Sequence, residues 1–143
     1  MIHPERLRIG TEGHVIIGRG AVIDTGARLV VHGTLTLGDW VYIGRDAVIS
    51  VSDTVTIGAR TRLAERLSIH EGNYGEAGAW SAETMRSAPI LVGSDCWIGA
   101  NVALIAGASV GDAATIGAHG VVTGTIPAHA TAVGVPARVV KQG

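Results

Sequence analysis

A chain of 143 residues that is 47% hydrophobic can bury the core of one domain, but with 3% aromatics, no Phe and 21 Gly that core must be Val, Ile, Leu and Ala among many tight corners. The formal charge of −1 argues against nucleic acid or an anionic membrane as partner, and the sequence contains neither a transmembrane run nor, in its opening "MIHPERLRIG", the apolar stretch of a signal peptide. The single Cys96 has no second cysteine to pair with, so the cytoplasm is the expected compartment.

Residues 1–8 show no repeat and are expected to cap one end of a single domain spanning 1–143. From residue 9 to about 126 the chain keeps a six-residue rhythm. Its anchors are Ile17, Ile23, Leu29, Leu37, Ile43, Ile49, Ile57, Leu63 and Ile69, then, after a gap, Val92, Ile98, Leu104, Val110, Ile116 and Val122. Four residues after an anchor the side chain is usually small or aliphatic, as at Ala27, Ala47, Cys96, Ala108 and Ala114. A helix would show spacings of three and four, and a simple amphipathic strand would alternate by two. Six residues read instead as one short strand plus one corner, and three such units close a triangular coil. The expected fold is all-β: a parallel β-helix of about five triangular coils, with one long loop and a short C-terminal cap.

The interruptions of the rhythm are informative. "HVIIG" at 14–18, "TLTLG" at 34–38 and "TVTIG" at 54–58 lie twenty residues apart, so each of these coils carries two extra residues at the same corner. A larger insertion, about residues 75–91, leaves from that corner one coil later. Insertions gathered on one edge of a solenoid mark its functional edge, although a tolerated surface loop has the same look in sequence. The tail 127–143 is expected to cover the strand edges that an open last coil would leave unpaired.

Within residues 92–141, "WIGAN", "GASVGDAATIGA", "VVTGTIP" and "VGVPARVVK" follow an order and spacing that resembles the hexapeptide-repeat acyltransferases. The likeness is greatest to the maltose, galactoside, xenobiotic and polysaccharide O-acetyltransferase branch. The resemblance, and not the periodicity, implies a left-handed coil, since ordinary parallel crossovers are right-handed. It also implies a homotrimer, with acetyl-CoA lying between neighbouring subunits and no metal. On the same ground, backbone at the "IGA" corners, Ala100 and Ala118, would hold the pantetheine arm, and Arg138 and Lys141 would meet the CoA phosphates. A merely solvated tail is the competing reading of the two basic residues. Trp97 matches a family Trp and is expected to face outward, against the subunit interface and the wall of the cleft. Cys96 occupies an inward small position and reads as core rather than nucleophile.

In the family a His takes the proton of the acceptor hydroxyl as its oxygen attacks the thioester, and a group titrating near pH 7 suits that task. The family places it last in the hexad before the long loop. Here that hexad is Ile69, His70, Glu71, Gly72, Asn73 and Tyr74, so the slot holds Tyr74. A phenol of pKa near 10 is about 0.1% ionised at pH 7, a cost of roughly 4 kcal/mol if phenolate is needed. His70 is the nearest alternative base, expected to point outward roughly 10 Å from the slot. Glu71 could steady it only if a turn brought the two together, because strand neighbours point oppositely. Asn73, Trp80 and His119 are the candidates for contact with the acceptor, Trp80 as cover for a sugar and His119 beside the cofactor track.

The expected function is therefore acetyl-CoA-dependent O-acetyl transfer to a sugar or other small hydroxylated acceptor. The missing histidine at position 74 keeps open a non-acetylating enzyme on the same trimeric scaffold, and a trimeric binding protein needs only the fold. A γ-type carbonic anhydrase is disfavoured, because zinc there needs three converging histidines and the chain has no His-x4-His pair.

Overall fold

The computed structural model describes residues 7–74 and 85–143, with residues 73, 74, 85 and 86 described by backbone alone. Residues 1–6 of the expected N-terminal cap, and Trp80 with its neighbours in the insertion, lie outside the described residues.

Short strands wind into stacked three-sided coils. The first face stacks Leu7–Ile9, Arg28–Val31, Val48–Val51, Ser68–His70, Ala103–Ile105 and Val121–Val122. The second stacks His14–Ile17, Thr34–Leu37, Thr54–Ile57, Ile90–Val92, Ser109–Val110 and Thr125–Ile126. The third stacks Val22–Ile23, Tyr42–Ile43, Arg62–Leu63, Trp97–Ile98, Thr115–Ile116 and Ala130–Val133. Pairing within each face is parallel until the last strand, Arg138–Gln142, which turns back antiparallel on Ala130–Val133.

Among the described residues there are thus six coils where about five were expected. The reason is the corner after Val122. It holds only Thr123 and Gly124, so the next inward residue is Ile126, four positions on rather than six. The last coil closes through Ala130–Val133, beyond the point where the six-residue count stops.

Strand periodicity of two sends the anchors inward and their neighbours outward. The anchors stack in register, with Leu29, Ile49, Ile69 and Leu104 aligned on the first face and Ile43, Leu63, Ile98 and Ile116 on the third. All are buried. The positions just after the corner between second and third faces take smaller side chains, Val41, Thr61, Cys96 and Ala114. Thr61 is tolerated there because its hydroxyl donates to the Gly93 carbonyl at 2.6 Å and accepts the Cys96 N–H at 3.1 Å.

The corners between second and third faces, and between third and first, are built on left-handed backbone. Trp40, Arg60, Asp95, Ala113 and His129 line one corner, and Asp46, Arg66, Asn101 and His119 the other, each with φ between 57° and 65°. Each of their N–H groups donates to a carbonyl one coil below, as Arg60 does to Asp39 at 2.8 Å and His119 to Ala100 at 2.9 Å. That bond offsets a conformation that non-glycine residues otherwise avoid.

The remaining corner, between first and second faces, carries the insertion. In the lower coils the Val51 carbonyl accepts the His32 N–H at 2.8 Å and the Gly33 N–H at 3.3 Å. One coil up, the chain leaves the prism at Glu71, and Gly72–Tyr74 and Met85–Ser87 form an antiparallel neck closed by Ala88 N–H to Glu71 carbonyl at 3.1 Å. That carbonyl is no longer available to the coil beneath. The Glu71 side chain replaces it: Oε1 accepts the Ser52 N–H and, at 2.5 Å, the Asp53 N–H. Among the described residues no helix is long and apolar enough to cross a membrane.

Candidate functional site

Trp97, Ala100, Ala118 and His119 fall along one edge of the fourth and fifth coils. Trp97 stands on the third face, half exposed, between Arg62 below and Thr115 above. Ala100 and Ala118 are at the adjoining corner of successive coils. Gly99 lets this corner stack tightly, since a Cβ there would meet the Ala118 N at 2.7 Å. His119 projects from the same corner with φ 65° and is exposed. Arg138 and Lys141 lie in the terminal strand opposite Val133 and Thr131. Both are exposed and neither has an ion-pair partner among the described residues.

His70 is elsewhere. It ends its strand on the first face, exposed, between Ser50 and Ile105. The backbone of Asn73 and Tyr74 continues from it into the neck, opposite Arg86 and Met85. Glu71 does not steady His70. It occupies the inward column above Val31 and Val51, fully buried, with Oε2 unpartnered. Among the described residues no three His, Cys, Asp or Glu side chains gather as metal ligands.

One feature escaped the sequence reading. On the third face Val22, Tyr42, Arg62 and Trp97 form an outward column. The Arg62 guanidinium lies 5.2 Å from the Tyr42 ring centre, and the Tyr42 hydroxyl donates to Asp24 Oδ2 at 2.6 Å. The signal was present one residue before three successive third-face anchors, but it shows only once the coil length is known. Tyr42 donation and the Thr25 N–H hold the Asp24 carboxyl below the usual carboxylate range, and the same carboxylate together with partial burial raises the Tyr42 hydroxyl. Cys96 is buried and its thiol is pushed up by desolvation, as suits a core side chain.

A coil of this kind is shared with known proteins. Residues 89–123 match the family described as hexapeptide repeat of succinyl-transferase. The putative colanic acid biosynthesis acetyltransferase WcaF of Escherichia coli (strain K12) is 29% identical over 88% of this chain and 68% of its own length. The putative lipopolysaccharide biosynthesis O-acetyl transferase WbbJ of the same strain is 28% identical over 94% of this chain and 74% of its own. Among solved structures, the hexapeptide-repeat acetyltransferase VCA0836 of Vibrio cholerae O1 biovar eltor, complexed with acetyl coenzyme A, superposes with a TM-score of 0.81 at 23% identity, over 92% of this chain and 71% of that one. The fold is that of the left-handed β-helix acyltransferases. The chain is an acetyltransferase that resembles the hexapeptide-repeat acyltransferases.

Proposed function

We propose that the chain moves an acetyl group from acetyl-CoA to a hydroxyl of a sugar, as part of a larger saccharide, at a cleft closed by a second copy of itself in a homotrimer. The observation that carries this reading is the stripe of Trp97, Ala100 and Ala118 on coils four and five, at the level of an insertion rooted at coil four across the first face. The methyl side chains of Ala100 and Ala118 leave the backbone open to a narrow pantetheine arm, and Arg138 and Lys141, without ion-pair partners among the described residues, supply cations for its phosphates. The names of WcaF and WbbJ, which refer to colanic acid and lipopolysaccharide, support a saccharide acceptor.

Placement supports the trimer. His70 and the neck lie at the far edge of the first face, whereas Trp97 and Ala118 lie on and beside the third. Within one chain the face itself separates them, so a base and a thioester from these two sets meet only across two copies. His70 takes the proton from the acceptor hydroxyl, Tyr74 and Asn73 orient the sugar, and His119 borders the cleft. A backbone N–H of the exposed corners can meet the charge that develops on the acyl oxygen.

Release of free CoA from acetyl-CoA, measured with a panel of glycoside acceptors, tests the reading. Turnover is expected, with His70→Ala lowering kcat about 10²- to 10⁴-fold. Full activity in that variant together with its loss in Tyr74→Phe would move the base to Tyr74. Failure of the native protein to bind CoA in calorimetry would overturn the function.

A further inference from the structure

Four arginines project from coils two and three at or beside the third face, and three of them are engaged. Arg60 meets Asp95 through Nε at 2.7 Å and through Nη2 at 3.0 Å. Arg66 Nε donates to Asn101 Oδ1 at 3.1 Å. Arg45 Nε lies 3.8 Å from Asp24 Oδ2. Arg62 is different. It is exposed, it stands in the middle of the face rather than at a corner, and among the described residues it has neither an ion-pair partner nor a side-chain hydrogen bond.

Its surroundings fix its orientation without neutralising it. The guanidinium is 5.2 Å from the Tyr42 ring centre, within the range of a cation–π contact. Tyr42 is itself held by Asp24, whose Oδ1 takes the Thr25 N–H at 2.7 Å and whose Oδ2 takes the phenol. The Asp24 carboxylate is thus occupied with Tyr42, Thr25 and Arg45. On the other side of Arg62 stands the half-exposed Trp97, its partner in the strand ladder. Stacking uses the face of a guanidinium and leaves the N–H groups at its edge free, in the planar fork that matches a carboxylate or phosphate.

We propose that the Tyr42–Arg62–Trp97 column is an acceptor subsite, in which the aromatic rings carry a sugar ring and Arg62 reads an oxyanion on it. The acceptor is therefore an acidic saccharide, bearing a carboxylate or a phosphate, and Arg62 sets that specificity. The inference rests on the reading of Trp97 as a wall of the transfer cleft.

Calorimetric titration of the native protein with methyl β-D-glucopyranoside, methyl β-D-glucuronide and glucose 1-phosphate tests it, alongside a titration with CoA. At least one of the two anions is expected to bind ten-fold or more tightly than the neutral glycoside, and which one does so distinguishes carboxylate from phosphate. Arg62→Leu is expected to abolish the difference while leaving CoA affinity unchanged, and Arg62→Lys to restore part of it, since charge returns without the fork. Equal binding of neutral and anionic probes, or a preference that survives in Arg62→Leu, would overturn the inference. So would a change in the assembly's mass in that variant, which would assign Arg62 to a contact between copies. CoA binding without an anion preference sinks this inference and spares the acetyltransferase. An Arg62-dependent preference without CoA binding does the reverse.

Discussion

The Tyr42–Asp24 hydrogen bond, 2.6 Å long and part-buried, ties two titrations together. Tyr42 holds the Asp24 carboxyl low, so that carboxylate stabilises the fold above its unfolded value near 3.9, and the gain is lost as pH falls through the lower folded value. Asp24 holds the phenol high, so Tyr42 contributes below about pH 10, and that contribution is lost as pH rises through the raised folded value. Both gains are present between these limits. With only two tyrosines in the chain, absorbance titration of a Tyr74→Phe background isolates Tyr42. Its midpoint is expected above 10, and Asp24→Asn is expected to bring it back towards 10. An unmoved midpoint would contradict the assignment. At this scale the sequence was informative for Cys96, whose small inward slot is buried as expected. It was silent on Tyr42 and Asp24, which are eighteen residues apart and meet only because one coil stacks on the next.

The corner between first and second faces shows how an element survives an interruption. Val31, Val51 and Glu71 share an inward column, and a buried carboxylate there is costly unless it is hydrogen-bonded. Glu71 is kept because its Oε1 takes the place of a carbonyl that the neck has diverted to Ala88. Glu71→Val would complete the apolar column yet leave the N–H groups of Ser52 and Asp53 without an acceptor. It is expected to destabilise the fold by about 1–3 kcal/mol, read in a denaturant melt. Equal or greater stability would show that packing outweighs those two bonds. Gly33 belongs to the same corner, because a Cβ there would collide with the Asp53 backbone carbonyl. The period of two from Ile69 already sent residue 71 inward, as it did Val31 and Val51. The pattern does not say why a carboxylate should stand there. Only the diverted backbone explains it.

For the whole molecule, the exposed column of the third face and the His70 edge of the first lie on different sides of one prism. The proposed shared cleft therefore predicts an assembly of three times the 14.6 kDa chain mass in sedimentation equilibrium. A monomer that still transfers acetyl groups would refute the shared cleft, since no single chain brings these residues together.

The sequence by itself determined the coil, its three faces, the corner of the insertion and the residues of the core. These follow from a repeat in which each aliphatic anchor meets its own counterpart one turn away, so local pattern and packing carry the same information. The tertiary structure alone decided the sixth coil, the hydrogen bonds by which Glu71 replaces a diverted carbonyl, and the column of Tyr42, Arg62 and Trp97. Each depends on which residue stands above which, and that register changes wherever a corner gains or loses residues, so no fixed period in the chain records it.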